Sequence, residues 1–143
     1  MQEILHKFHL SDAYRRYRFV GKAQIPIAEG LAKTISFYCL DEQASGRVVN
    51  LKFSEGLPMT FVNSSIEQFA EFLLLLRQYT EWRLTEQDEI ERQANKDELR
   101  SEFYDKAYEY GNQIVKQLEQ ADYPATEEGS MWEQNLLELK YGK

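Results

Sequence analysis

Two histidines, His6 and His9, stand three residues apart, a spacing that would put both imidazoles on one helical face and let them share a metal ion. No cysteine or carboxylate cluster accompanies them, so they read as ordinary surface or half-buried imidazoles. The single cysteine, Cys39, lies in a strand-like apolar segment with no local cation or helix start to lower its pKa. It reads as a small buried hydrophobe rather than a nucleophile. Acidic pairs such as Asp88/Glu89 and Glu127/Glu128 have the residue types for acid–base work, but that work needs burial to drive two carboxyl pKa values apart. These pairs sit in polar stretches and read as solvated faces. The seven glycines are scattered singly, which leaves no phosphate-cradling loop, and neither a G-x-S-x-G elbow nor an H-E-x-x-H helix occurs. No catalytic residue, metal ligand or cofactor is assigned. Function is sought instead in surface complementarity to another macromolecule.

Composition narrows that search. A chain of 143 residues with 43% hydrophobic and 13% aromatic content is expected to build one core in a single domain, residues 1–143. One thiol makes no internal disulfide, and the N-terminal MQEILHKFHL has no apolar signal region. The longest apolar run, Phe72 to Leu76, is far too short to span a bilayer. A cytoplasmic protein without stable membrane insertion, a monomer or weak homodimer, is expected. The net charge of −7 is uneven: residues 1–33 carry +3, leaving −10 for the remainder. Such a surface repels a phosphate backbone, and the nine tyrosines and eight phenylalanines lack the basic groove that base stacking requires, so nucleic acid is not expected. A basic protein partner is favoured, because long-range attraction speeds encounter. Solubility alone is the competing reading of the charge.

Strands come first and helices after. Arg18 to Lys22 reads as a short strand, with Gly21 offering a bulge or bend, and residues 23–33 read as a connection. Thr34 to Asp41 and Arg47 to Phe53 are rich in β-branched and aromatic residues, and EQASG between them ends in Gly46, a hairpin connection. A turn around Glu55, Gly56 and Pro58 leads to a further strand at Met59 to Val62. Ser64 followed by Glu67 matches a capping box ahead of a helix to about Arg83. Ile66, Phe69, Ala70, Leu73 and Leu76 form its apolar stripe, widened by Phe72 and Leu74. Leu75 and Trp82 fall on the opposite face, either beneath a later helix or in an exposed contact patch. Thr85 to Gln93 is acidic, either a short helix or a solvated connection. A second stripe, Leu99, Phe103, Ala107, Tyr110, Ile114, Leu118 and Ala121, marks a long helix that Gly111 interrupts at a cost of about 1 kcal/mol and Tyr123-Pro124 stops. Ser130 and Glu133 suggest a second capping box before a terminal helix bearing Trp132. The expected class is α+β: an antiparallel β-meander of three to five strands with helices packed mainly on one face.

The strings GRVVNLKF and MTFVNSSIEQFAEFL (residues 46–53 and 59–73), with DYPA and SMWEQNLLEL (residues 122–125 and 130–139), resemble the core signature of SUKH-superfamily immunity proteins, the fourth SUKH group above all. The resemblance spans roughly residues 18–141, and F-V-N-S-S-x-E-Q-F is its most specific part. It implies a non-catalytic α+β protein that binds a polymorphic toxin domain, often a nuclease or deaminase, and is typically encoded beside it. Gly46 belongs to the matching strand. The resemblance gives Asn63, Ser64 and Ser65 the task of turning the chain into the helix, Phe69 that of anchoring it, and Trp132 that of closing the core. A SUKH-like regulatory module that binds a cellular or membrane-associated protein is the alternative.

The acidic residues expected to face a basic toxin are Asp41, Glu42 and Glu55 at the hairpin and following turns, and Glu86, Asp88, Glu89 and Glu91 at the helix connection. Leu75 or Trp82 would add an apolar anchor.

Overall fold

The computed structural model describes residues 16–25, 34–52 and 59–142 of the chain. His6, His9, Glu55 and the turn around Pro58 lie outside the described residues. One antiparallel sheet contains β1 (Tyr17–Ile25), β2 (Thr34–Asp41), β3 (Arg47–Lys52) and β4 (Met59–Asn63), paired in chain order. There follow α1 (Ile66–Glu91), α2 (Lys96–Ala121), a 3-10 turn (Tyr123–Thr126) and α3 (Glu133–Lys140). This is the predicted α+β order. The chain divides into two compact units, Met1–Phe69 and Ala70–Lys143, with the boundary inside α1.

In the first unit, β1 runs past its predicted end to Ile25 and absorbs the start of the expected connection. Its register on β2 shifts between Phe19 and Gly21, so a bulge lies beside the glycine that signalled it. β2 and β3 join through residues 42–46, where Ser45 and Gly46 both take positive φ, 58° and 71°. The second of these left-handed positions falls to glycine, which has no Cβ to strain. β3 is buried without a break from Val48 to Leu51, so both faces of the sheet interior are covered. One inward pair is polar. Asn50 Nδ2 donates to Ser36 Oγ at 3.1 Å, with both residues fully buried, which limits the roughly 1–3 kcal/mol cost of hiding either group unpaired.

The entry into α1 departs from prediction by one residue. Ser65, rather than Ser64, caps the helix: its Oγ accepts the Gln68 backbone N–H at 3.2 Å, and its hydroxyl donates to Gln68 Oε1 at 2.8 Å. Ser65 and Gln68 are thus joined twice, both times through the Ser65 hydroxyl. Asn63 is fully buried at the end of β4, and Phe69 is buried with its ring 5.1 Å from that of Tyr38.

In the second unit, α1 passes through the acidic stretch and ends only at Glu91, so residues 85–91 are neither a separate helix nor a connection. Ile90 supplies the reason: it is buried in a cluster with Phe103 and Ala107, which gives the polar turn an inward residue. The apolar stripe of α1 is also rotated from prediction. Phe72, Tyr79 and Ile90 are buried, whereas Leu73 and Leu74 are exposed. α2 matches its predicted span and stripe. Gly111 within it is buried, and a Cβ there would lie 2.2 Å from the Leu139 carbonyl oxygen of α3. The glycine is thus the point where two helices touch backbone to backbone. Trp132 is buried with its ring 5.5 Å from Phe72. The predicted Ser130/Glu133 box does not form. Glu133 accepts the N–H of Gly129 instead, at 2.6 Å, and Ser130 Oγ is buried without a partner among the described residues.

Candidate partner-binding surface

The side chains that set this surface are positioned by an aromatic ladder between α1 and α2. Tyr79 and Trp82 project from α1 at a three-residue step, and Phe103 and Tyr110 from α2 at a seven-residue step, so each pair lies on one face. The Trp82 ring stacks on Tyr110 at 5.0 Å and 3°, and on Phe103 at 5.6 Å and 20°. Tyr79 lies 5.6 Å from Tyr110. Each such pair contributes about 0.5–1.5 kcal/mol beyond the area it buries, which makes the helical hairpin a firm platform. Arg83 locks the C-terminal end onto it. Its Nη1 donates to the Gly142 carbonyl at 2.7 Å, and its guanidinium lies 5.7 Å from the centre of the Phe103 ring.

Open grooves flank the ladder. Lys106, Glu109 and Gln113 border one beside Trp82 and Tyr110. Gln87, Glu91, Arg100 and Tyr104 border the other, over Ile90 and Phe103. Residues 85–105 hold eight carboxylates against three cations. Two of those cations are committed: Arg100 donates to Glu91 (Nε, 3.1 Å) and to Asp97 (3.3 Å), and Arg92 pairs with Glu89 at 3.5 Å. The hydrogen bond from Arg100 holds the Glu91 carboxyl below its ordinary pKa, and the same bond raises that of Arg100. Asp88, Glu98, Glu102 and Asp105 are exposed and make no ion pair among the described residues. This end of the hairpin therefore carries a negative surplus.

The end of the β2–β3 hairpin is built differently. Arg16 grips the Asp41 carboxylate with both prongs of its guanidinium, at 2.8 Å and 2.7 Å. Arg47 Nη2 adds a contact at 3.4 Å, and the Gln43 backbone N–H donates to the same carboxylate at 3.2 Å. Glu42 pairs with Arg18. Two carboxylates thus face three arginines.

Cys39 is fully buried, and desolvation pushes its thiol up to about 12, away from nucleophilic character. No group of residues able to hold a metal ion occurs among the described residues. No helix among them is long and apolar enough to cross a membrane.

A family model described as SUKH-4 immunity protein matches residues 9–138, across both units. The chain belongs to the SUKH-4 immunity protein family. No curated protein and no solved structure gives a match.

In this SUKH-4 protein the residues singled out from sequence do not form one patch. Asp41 is a correction: its carboxylate is fully buried and neutralised by arginine, so it presents no charge to a partner. Glu42 stays exposed but is offset by Arg18, and the hairpin end has no negative surplus. Trp82 is half-buried, stacked in the ladder at the edge of an open groove, and Leu75 is half-buried beside Gln117 and Gln120. Among the helical acids, Asp88 and Glu91 share one face of α1, while Glu89 points away from both and Glu86 is half-buried. Sequence reasoning missed Arg16 and Arg83, whose partners lie 25 and 59 residues away and leave no local signal. It also passed over Tyr104 and Tyr108, although both stand off the apolar stripe of α2 and are exposed.

Proposed function

We propose that this SUKH-4 protein is an immunity protein that acts by occupancy, binding and neutralising a cognate basic toxin domain, a nuclease or deaminase, in the bacterial cytoplasm. The observation that carries this reading is the family match over residues 9–138, which also supports treating the two units as one family domain. The acidic surplus of the α1–α2 hairpin supports a basic partner, because it would accelerate encounter and disfavour anionic competitors. Asp88 is the residue of the acidic run that is exposed and makes no ion pair among the described residues, and the protein works as a monomer or weak homodimer.

The test is to express the tagged chain in its own host and identify what co-purifies at low and moderate salt. Recovery of one stoichiometric basic toxin domain, followed by rescue of cells expressing that domain, is the expected result. Recovery of a housekeeping or membrane-associated protein, with no protection against any toxin, would replace the immunity reading with the regulatory one.

A further inference from the structure

Three large side chains of the α1–α2 hairpin lack internal cover: Leu84 is 58% exposed, Tyr104 56% and Tyr108 57%. Leu84, Asp88 and Glu91 follow at steps of four and three, so they share a face of α1. Ser101, Tyr104, Asp105 and Tyr108 do the same on α2. One residue of each face, Glu91 and Tyr104, borders the same groove. The exposed Tyr141 adjoins them, because Gly142 packs so tightly on α2 that a Cβ there would lie 3.2 Å from the Tyr108 nitrogen.

Charge selects the occupant. Asp88 and Glu91 share the α1 face and Asp105 the α2 face, Glu91 borders the groove with Tyr104, and Arg100 in that groove is tied to Glu91 and Asp97. A second copy meeting this face through a two-fold axis would set like charge on like. Nucleic acid and anionic lipid are repelled for the same reason. A basic protein surface is attracted, and exposed tyrosines in an acid-rich segment supply what such an interface needs: rigid aromatic anchors, each with a hydroxyl. We infer that the Leu84–Tyr104–Tyr108 face is the toxin-docking surface, with Tyr104 and Tyr108 as its anchors and Asp88 and Asp105 as its steering charges. The inference rests on the immunity reading and deepens it.

The probe is the purified basic toxin domain recovered by co-purification with the tagged chain. Its affinity is measured for the full-length chain, for Tyr104→Ala/Tyr108→Ala, for Asp88→Lys/Asp105→Lys, and for Tyr123→Ala, an exposed tyrosine on the 3-10 turn. Circular dichroism confirms that each variant is folded. The double tyrosine variant should bind at least about tenfold more weakly, mostly through faster dissociation. The lysine variant should associate more slowly, by a margin that shrinks as salt rises. Tyr123→Ala should match the unaltered chain. If the unaltered chain binds and both double variants bind equally well, the docking face is wrong and the immunity reading stands. If the unaltered chain does not bind the toxin domain, the immunity reading fails and takes this surface with it.

Discussion

Replacing Gly111 by alanine should destabilise this protein, although helix propensity alone says the opposite. In a solvent-facing helix interior the change would gain about 1 kcal/mol. Here the added methyl would sit 2.2 Å from the carbonyl oxygen of Leu139, 3.0 Å from its carbonyl carbon and 3.3 Å from its Cα. The obstacle is backbone, so no rotamer change relieves it, and α3 must retreat by roughly an ångström to restore van der Waals distance. Retreat loosens the buried Leu136 and Leu139 and stretches two bonds that tie the C-terminus to the hairpin, Asn112 Nδ2 to the Lys140 carbonyl (3.1 Å) and Arg83 Nη1 to the Gly142 carbonyl (2.7 Å). Overpacking of this kind costs about 1–3 kcal/mol, and a rigid backbone clash with attached hydrogen bonds belongs at or above the top of that range. Against the propensity gain, the net expectation is a loss of about 2 kcal/mol. Urea denaturation followed by tryptophan fluorescence is the assay, since both tryptophans, Trp82 and Trp132, lie in the second unit. Gly21→Ala serves as the comparison, because nothing lies within 4 Å of its added Cβ. A Gly111→Ala midpoint equal to or above that of the unaltered protein would refute the close-approach account.

Trp82→Ala should cost about 3 kcal/mol in the same assay, read by Trp132 fluorescence, because it removes the centre of the ladder between α1 and α2. A variant of unaltered stability that had lost toxin binding would instead restore Trp82 to the role of exposed anchor. The Glu91 carboxyl should titrate below an ordinary glutamate in an NMR pH series, because the Arg100 side chain hydrogen-bonds its ionised form. A lowered folded pKa means that the associated stability is present above the unfolded-state pKa and is lost as pH falls through the folded one. Arg100→Gln should move the Glu91 midpoint back up, and an unmoved midpoint would show that the ion pair does not persist in solution.

Local pattern was enough wherever the deciding forces are local. β2 and β3 were legible because β-branched and aromatic residues flank a loop ending in Gly46, and the long α2 because a single apolar stripe recurs along it. The phase of α1 was not. Five large apolar residues stand in a row from Phe72 to Leu76, and at 100° per residue they cannot all face inward. Periodicity cannot choose among them; the choice falls to Phe103 and Tyr110 of the next helix, which draw Tyr79 and Trp82 inward and leave Leu73 and Leu74 outside. Asp41 misled for a related reason. Beside a turn it looks like surface charge, and only Arg16, 25 residues earlier, makes its burial possible. The proposed docking face is the instructive case, because its residues stand apart in the sequence pattern. Once the stripe of α2 is drawn through Leu99, Phe103, Ala107, Tyr110 and Ile114, two tyrosines remain outside it at a four-residue spacing, in a segment rich in acids. A core stripe accounts for the apolar residues that fold the protein. The large residues left over on an otherwise charged helix stay solvated at a cost to stability, and a binding partner is what makes that placement useful.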